Sequence, residues 1–162
     1  MIDNGATTIW ERWDGYVKGR GFQDPGMNSF NHWAFGAVGE WIWRHVAGLN
    51  PDEQRPGWKH FFVAPKPGGG VTWAKGEFDS IYGEIESSWR LDGNRFVLSL
   101  VIPVNTTATV VIPATKAAGI TENGRPMDQA DGVRLLRFEK NRAVFEVESG
   151  RYQFASMVTT GP

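Results

Sequence analysis

With 162 residues the chain has room for one domain, or for one domain and part of a second. Its 17 basic and 18 acidic residues leave a net charge of -1, which excludes the positive field that nucleic acid or an anionic membrane would need. The absence of cysteine removes disulfides, thiolate metal sites and cysteine nucleophiles, and is compatible with a cytoplasmic, periplasmic or secreted location.

No run of about 18 apolar residues is present, so no transmembrane helix is expected. The opening MIDNGATTIW lacks the basic and apolar regions of a secretory signal. Residues 6–13 read as a short extended segment, with β-branched Thr7, Thr8 and Ile9. Residues 14–27 are rich in glycine and contain Pro25, which predicts a loop.

A helix is expected over 28–49. Asn28 or Ser29 can cap its first turn, and Phe30, Trp33, Ala34, Ala37, Val38, Trp41, Ile42, Val46 and Leu49 recur at a helical period. Gly36 and Gly39 each cost such a helix about 1 kcal/mol relative to alanine, which suggests close approach of another element. Gly48 and Asn50–Pro51 end it. The helix is apolar over much of its circumference and therefore needs cover: from the strands that follow, from a second copy of the chain, or by aggregation.

The polar segment PDEQRPG (51–57) reads as a connector, dividing the chain into residues 1–50 and 51–162. Beyond it the period becomes two. Strands are expected near 60–65, 71–78, 80–91, 95–103, 107–114, 133–140, 143–149 and 151–158, with turn signals at Asp92-Gly93-Asn94, Asn123-Gly124 and Lys140-Asn141. About eight short strands with no helix between them predict an antiparallel β-sandwich.

Six of the eight tryptophans (Trp10, Trp13, Trp33, Trp41, Trp43 and Trp58) lie in the first 58 residues. Such segregation, and a Met1 placed directly before a dense motif, lead us to expect a piece of a longer protein. In that motif, TTIWERWDG (7–15), Glu11 sits between Trp10 and Trp13. NSFNHWAFG (28–36) then places His32 beside Trp33. A carboxylate and an imidazole among indole faces suit a sugar, whose apolar face stacks on aromatics while its hydroxyls seek polar partners. Taken alone, Glu11 could equally be a surface glutamate paired with Arg12, and His32 a core histidine. Trp41 and Trp43 fit helix packing, and Trp73 and Trp89 fit a sandwich core, although an exposed tryptophan on a sheet can also grip a sugar.

These two motifs, together with VIPVNTTATVVIPA (101–114), ITENGRP (120–126) and GRYQF (150–154), resemble the C-terminal end of bacterial α-L-rhamnosidases. The resemblance covers nearly the whole chain. It implies an inverting glycoside hydrolase acting on rhamnose-containing carbohydrate, with a barrel of six helical hairpins followed by a terminal β-sandwich. Residues 1–50 would then be the last piece of the barrel. Carried over, Glu11 is the catalytic base, His32 contacts substrate, and Trp10 and Trp13 wall the pocket. The general acid would lie upstream of this chain, so the chain alone is expected to be inactive. An accessory or carbohydrate-binding sandwich is the alternative.

No cofactor or metal is called for. The acids at Glu77, Asp79, Glu84 and Glu86 fit no calcium loop, the GGG at 68–70 lacks the residues of a phosphate loop, and the three histidines lack ligand spacing.

Overall fold

The computed structural model describes residues 1–27 and 29–159. Asn28, one of the two expected helix caps, lies outside the described residues. The chain divides into two compact units, Met1–Trp41 and Ile42–Pro162.

The first unit is held by aromatic rings rather than by regular secondary structure. A short 3-10 turn, Ile2–Asn4, closes on Gly5. The expected loop over 14–27 contains a two-stranded ribbon, β1 (Tyr16–Val17) and β2 (Gly21–Phe22), with Tyr16 opposite Phe22. Edge-to-face contacts link Tyr16 to Phe22 (5.3 Å), Phe22 to Phe30 (5.4 Å) and Phe30 to Trp10 (4.9 Å). This geometry sets the positive edge of each ring against the negative face of the next.

Helical structure runs over 33–47, but not as the regular α-helix expected over 28–49. A 3-10 segment, Trp33–Ala37, passes into one α turn, Val38–Trp41, and in the second unit into a π turn, Ile42–Ala47. Pro51 bars a regular helix from running on past this point. An α-helix would bond the Ala47 carbonyl to the N–H of residue 51, and proline has none. Instead the Gly48 N–H reaches back five residues to the Trp43 carbonyl (3.0 Å). The sandwich satisfies the carbonyls left over: Trp89 Nε1 donates to Val46 O (2.7 Å) and Ser87 Oγ to Ala47 O (2.9 Å). Ser87, on the inner face of its strand, is thus a buried polar group with its bond made. Leu49, expected to close the helix, opens a strand.

The second unit is a β-sandwich. Its strands are β3 (Leu49–Pro51), β4 (His60–Val63), β5 (Trp73–Ser80), β6 (Gly83–Asp92), β7 (Arg95–Ile102) and β8 (Thr107–Pro113). They continue with β9 (Thr121–Glu122), β10 (Arg125–Pro126), β11 (Val133–Glu139), β12 (Arg142–Val147) and β13 (Gly150–Met157). One sheet has the order β10-β9-β13-β7-β6-β5, the other β11-β12-β8-β4-β3. Neighbours pair antiparallel except β4 and β8, which run parallel with His60 opposite Thr107.

Both sheets contribute to one core. Ile85 and Trp89 of β6, Phe96, Leu98, Leu100 and Ile102 of β7, and Phe154 of β13 meet Phe61 and Val63 of β4, Val110 and Ile112 of β8, and Phe145 and Val147 of β12. The pleat shows in β7: Phe96, Leu98, Leu100 and Ile102 point inward and are buried, Ser99 and Val101 point outward and are only partly covered, and Val97, on the outward face, is buried as well.

Two departures from expectation stand out. The strand expected from residue 80 begins at Gly83, because Ser80 Oγ accepts from the Tyr82 N–H (3.1 Å) and donates to Gly83 O (2.7 Å), folding Ile81–Tyr82 into a hairpin turn. Trp89 is core, but Trp73 is not: it begins β5 with 68% of its surface exposed. Glu84 and Glu86 do share the outer face of β6, and Glu77 of β5 joins them with carboxylate oxygens all within 4.8 Å. Lys75 Nζ sits among these acids, 2.5 Å from Glu77 and 3.7 Å from Glu86.

Candidate functional site

The two motifs singled out in the sequence lie side by side in the first unit. Glu11 N donates to Ser29 O (2.8 Å) and His32 N to Ile9 O (2.8 Å), so Ile9–Glu11 and Ser29–His32 run as an antiparallel pair without forming a regular strand. Thr8 Oγ1 adds a bond to the Phe30 carbonyl. Side chain and backbone then lock together. Glu11 Oε2 accepts from the Ser29 N–H at 3.1 Å, so the residue that bonds Ser29 O through its own N–H also holds Ser29 N through its carboxylate. One carboxylate oxygen is thereby fixed by a backbone donor.

The flanking residues differ in exposure. Trp10 is 9% exposed and packs against Phe30, whereas Trp13 is 83% exposed. Arg12, between them, pairs with Asp14 (3.1 Å) and approaches Asp24 (3.8 Å), not with Glu11. The arginine partner that an ordinary surface reading would give Glu11 is therefore engaged elsewhere. His32 is half-buried, with its ring 5.2 Å from that of Phe35. The 3-10 and α turns that follow leave Trp33 88% exposed and Trp41 58% exposed.

In the second unit the structure assembles a cluster with no sequence signature. Asp52, in the segment read as a connector, and His60, at the start of β4, are both buried. His60 Nδ1 lies 2.8 Å from Asp52 Oδ2, and His60 Nε2 lies 3.0 Å from Thr109 Oγ1 on β8. Asp52 also accepts from the Gln54 N–H (3.0 Å) and from Arg55 Nε (2.8 Å). With Asp52 ionised, Nδ1 carries the imidazole proton and Nε2 accepts from the Thr109 hydroxyl. Carboxylate, imidazole and hydroxyl fall in the order of a hydrolytic relay, yet His60 is only 3% exposed and no substrate can reach it. The cluster pins the start of the 51–57 segment to the sheet.

Its protonation ties stability to pH. Burial pulls His60 below the ordinary imidazole value of 6.5, against the opposing pull of its bond to Asp52. The unfolded side chain therefore binds protons more readily than the folded one, and stability falls as pH drops below 6.5. For Asp52 burial works to raise the carboxyl, but bonds from Arg55, Gln54 and His60 outweigh it and hold it below 3.8, so its contribution is lost only on further acidification beneath that value. Thermal midpoints at pH 7.5, 6 and 5 should fall for the parent chain, with a shallower fall in His60→Gln. Equal slopes in the two proteins would remove His60 from the linkage.

Two family models match the chain. Residues 1–46 match the family model described as the bacterial alpha-L-rhamnosidase 6 hairpin glycosidase domain, and residues 48–126 that of the bacterial alpha-L-rhamnosidase C-terminal domain. An alpha-L-rhamnosidase of Streptomyces avermitilis is 42% identical over 158 residues, which are 94% of this chain and 14% of that protein. One from Formosa agariphila is 36% identical over 153 residues, 94% of this chain and 16% of that protein. Among solved structures, the Streptomyces avermitilis alpha-L-rhamnosidase complexed with L-rhamnose superimposes with a TM-score of 0.80 at 42% identity, over 95% of this chain and 14% of that one. The alpha-L-rhamnosidase from Dictyoglumus thermophilum gives 0.78 at 33% identity, over 96% of this chain and 16% of that one. The chain thus spans about one-seventh of the length of the relatives it matches. With both family models in sequence order and the fold shared over nearly its full extent, the chain belongs to the bacterial α-L-rhamnosidase family and corresponds to that family's C-terminal portion.

Proposed function

We propose that this chain supplies one wall of the active site of an α-L-rhamnosidase, which hydrolyses terminal α-L-rhamnosyl residues with inversion at the anomeric carbon. In this proposal residues 1–50 are the last piece of a helical catalytic barrel, and 51–162 the sandwich that follows. An inverting glycosidase sets two carboxyl groups about 6.5–9.5 Å apart, one protonating the leaving oxygen and the other taking a proton from the attacking water. Glu11 is the second of these. His32 contacts the sugar, and Trp10 and Trp13 wall the pocket.

The observation that carries the reading is the reciprocal bonding of Glu11 and Ser29, which orients the Glu11 carboxylate beside the segment bearing His32. A base must be fixed before water can be held against it, and a backbone N–H fixes one oxygen while leaving the other to accept the water's proton. The sugar class follows from the family and from the relative solved with L-rhamnose.

Because the acid partner belongs to the rest of the enzyme, the 162-residue chain alone is expected to release no product from an aryl α-L-rhamnoside, whereas the longer enzyme that contains it does. Proton NMR of the first product should show β-L-rhamnose. Turnover by the isolated chain would overturn the assignment of half an acid–base pair to it, and α-L-rhamnose appearing first would overturn inversion.

A further inference from the structure

At one end of the sandwich, where β6 and β13 of one sheet come level with β8 and β12 of the other, a cleft of about 680 Å³ opens. That volume is within the usual range for small-molecule sites. Leu91, Val111, Pro113 and Val158 give it apolar walls. Its rim is the segment 65–72, fixed before any ligand arrives: the Lys66 N–H bonds His45 O (2.9 Å), the Val71 N–H bonds Gly68 O (3.1 Å), and Thr72 O accepts from the Leu91 N–H (2.7 Å). Three glycines in a row, Gly68, Gly69 and Gly70, have φ of 150°, 60° and 82°, and a Cβ on any of them would meet nothing within 4 Å. The rim is therefore both sharply turned and bare, which keeps the opening clear.

The charge of the cleft is one-sided. Lys66 and Arg142 are the charged side chains among the described residues that line it, and no carboxylate joins them. The acid opposite Arg142 in the β11–β12 register is Glu139, and its carboxylate is taken by Arg137 Nε at 2.8 Å. In a chain of net charge -1, a concave apolar surface carrying two cations and no acid is a local exception. No aromatic ring lines it either, so it lacks the stacking platform a pyranose prefers.

We propose that this cleft binds a small amphiphilic acid: an aliphatic body against Leu91, Val111, Pro113 and Val158, with a carboxylate at the rim between Lys66 and Arg142. Glu11 does not line the cleft, and the proposal does not depend on the glycosidase reading. Burying the aliphatic body supplies affinity, and the two cations select the charged head over a neutral one.

The test uses the 162-residue chain with octanoate as probe and octan-1-ol as its uncharged counterpart, followed by titration calorimetry and amide chemical shifts. Octanoate should saturate at one equivalent, with shifts concentrated at Leu91, Val111 and Val158. Octan-1-ol should bind at least about 5-fold more weakly, and the double variant Lys66→Ala/Arg142→Ala should weaken octanoate by at least about 5-fold, the scale of two exposed ion pairs. Both positions are exposed, so the fold should persist in the variant, as its melting profile will show. Octan-1-ol binding as well as octanoate, the double variant binding undiminished, or no saturation up to about 10 mM, which is weaker than any affinity such a pocket needs, would each overturn the proposal.

Discussion

Glu11→Gln in the full-length enzyme is expected to lower kcat by about 10²- to 10⁴-fold, the usual contribution of a positioned general base, with KM for an aryl α-L-rhamnoside little changed. The substitution is chosen to remove basicity and nothing else. Glutamine keeps the shape of the side chain, and its amide oxygen can still accept from the Ser29 N–H, which now holds the carboxylate at 3.1 Å. The pairing of Ile9–Glu11 with Ser29–His32 runs through backbone atoms and should survive. Two measurements separate catalysis from scaffolding. The acidic limb of the kcat/KM profile, where a base becomes protonated, should vanish in the variant, and its circular dichroism should match the parent. A variant within a few-fold of the parent, or one that keeps the acidic limb, would take Glu11 out of the mechanism.

Gly48→Ala is expected to destabilise the sandwich by about 3 kcal/mol or more, through left-handed strain and a collision with backbone together. Gly48 has φ 84°, and a Cβ built there would stand 2.3 Å from Pro65 N, 2.7 Å from Pro65 Cα and 2.8 Å from Ala64 C. None of these atoms can swing aside as a side chain would. The Ala64 N–H also bonds the Gly48 carbonyl at 2.8 Å, so relieving the collision breaks the pairing that continues β3 against β4. Gly57→Ala provides the comparison: φ there is 91° with open space around the new methyl, so it should lose only the conformational cost of about 1–2 kcal/mol. Urea midpoints of the two variants give the difference directly. Equal losses would mean that the approach of Pro65 contributes nothing.

The sandwich was legible in the sequence because a pleat imposes its own period. Phe96, Leu98, Leu100 and Ile102 announce a buried face without reference to anything distant, and all eight expected strands are present in some form. The helix was only half legible. Its apolar spacing is real, but Trp43 and Val46 are apolar because they pack against the sandwich core, not because they continue a regular helix. The missing N–H of Pro51 ends the helix, and Ser87 and Trp89, distant in sequence, take its last carbonyls. Ile81 and Tyr82 were misplaced because a side-chain turn made by Ser80 leaves the alternation intact while reversing the chain.

Of the site, the residue types in TTIWERWDG and NSFNHWAFG pointed to sugar chemistry and to a known family, but every bond joining them ends on a backbone atom at one side at least, and which backbone atoms meet is invisible in residue identity. The Asp52–His60–Thr109 cluster had no local mark at all. Its hydroxyl lies 49 residues from its imidazole and depends on the parallel pairing of β4 with β8.

The order of strands in the six-stranded sheet carries a consequence for how the protein is made. β13, residues 150–157, is not at the margin of that sheet but inside it, between β9 and β7. On a ribosome, β5, β6 and β7 can meet as consecutive hairpins, but β7 then waits with a bare hydrogen-bonding edge through some fifty residues of further synthesis. Such an edge is the template on which nascent chains join one another. The interval closes only when β13 emerges. Chaperone protection over that interval would guard the β7 edge above all.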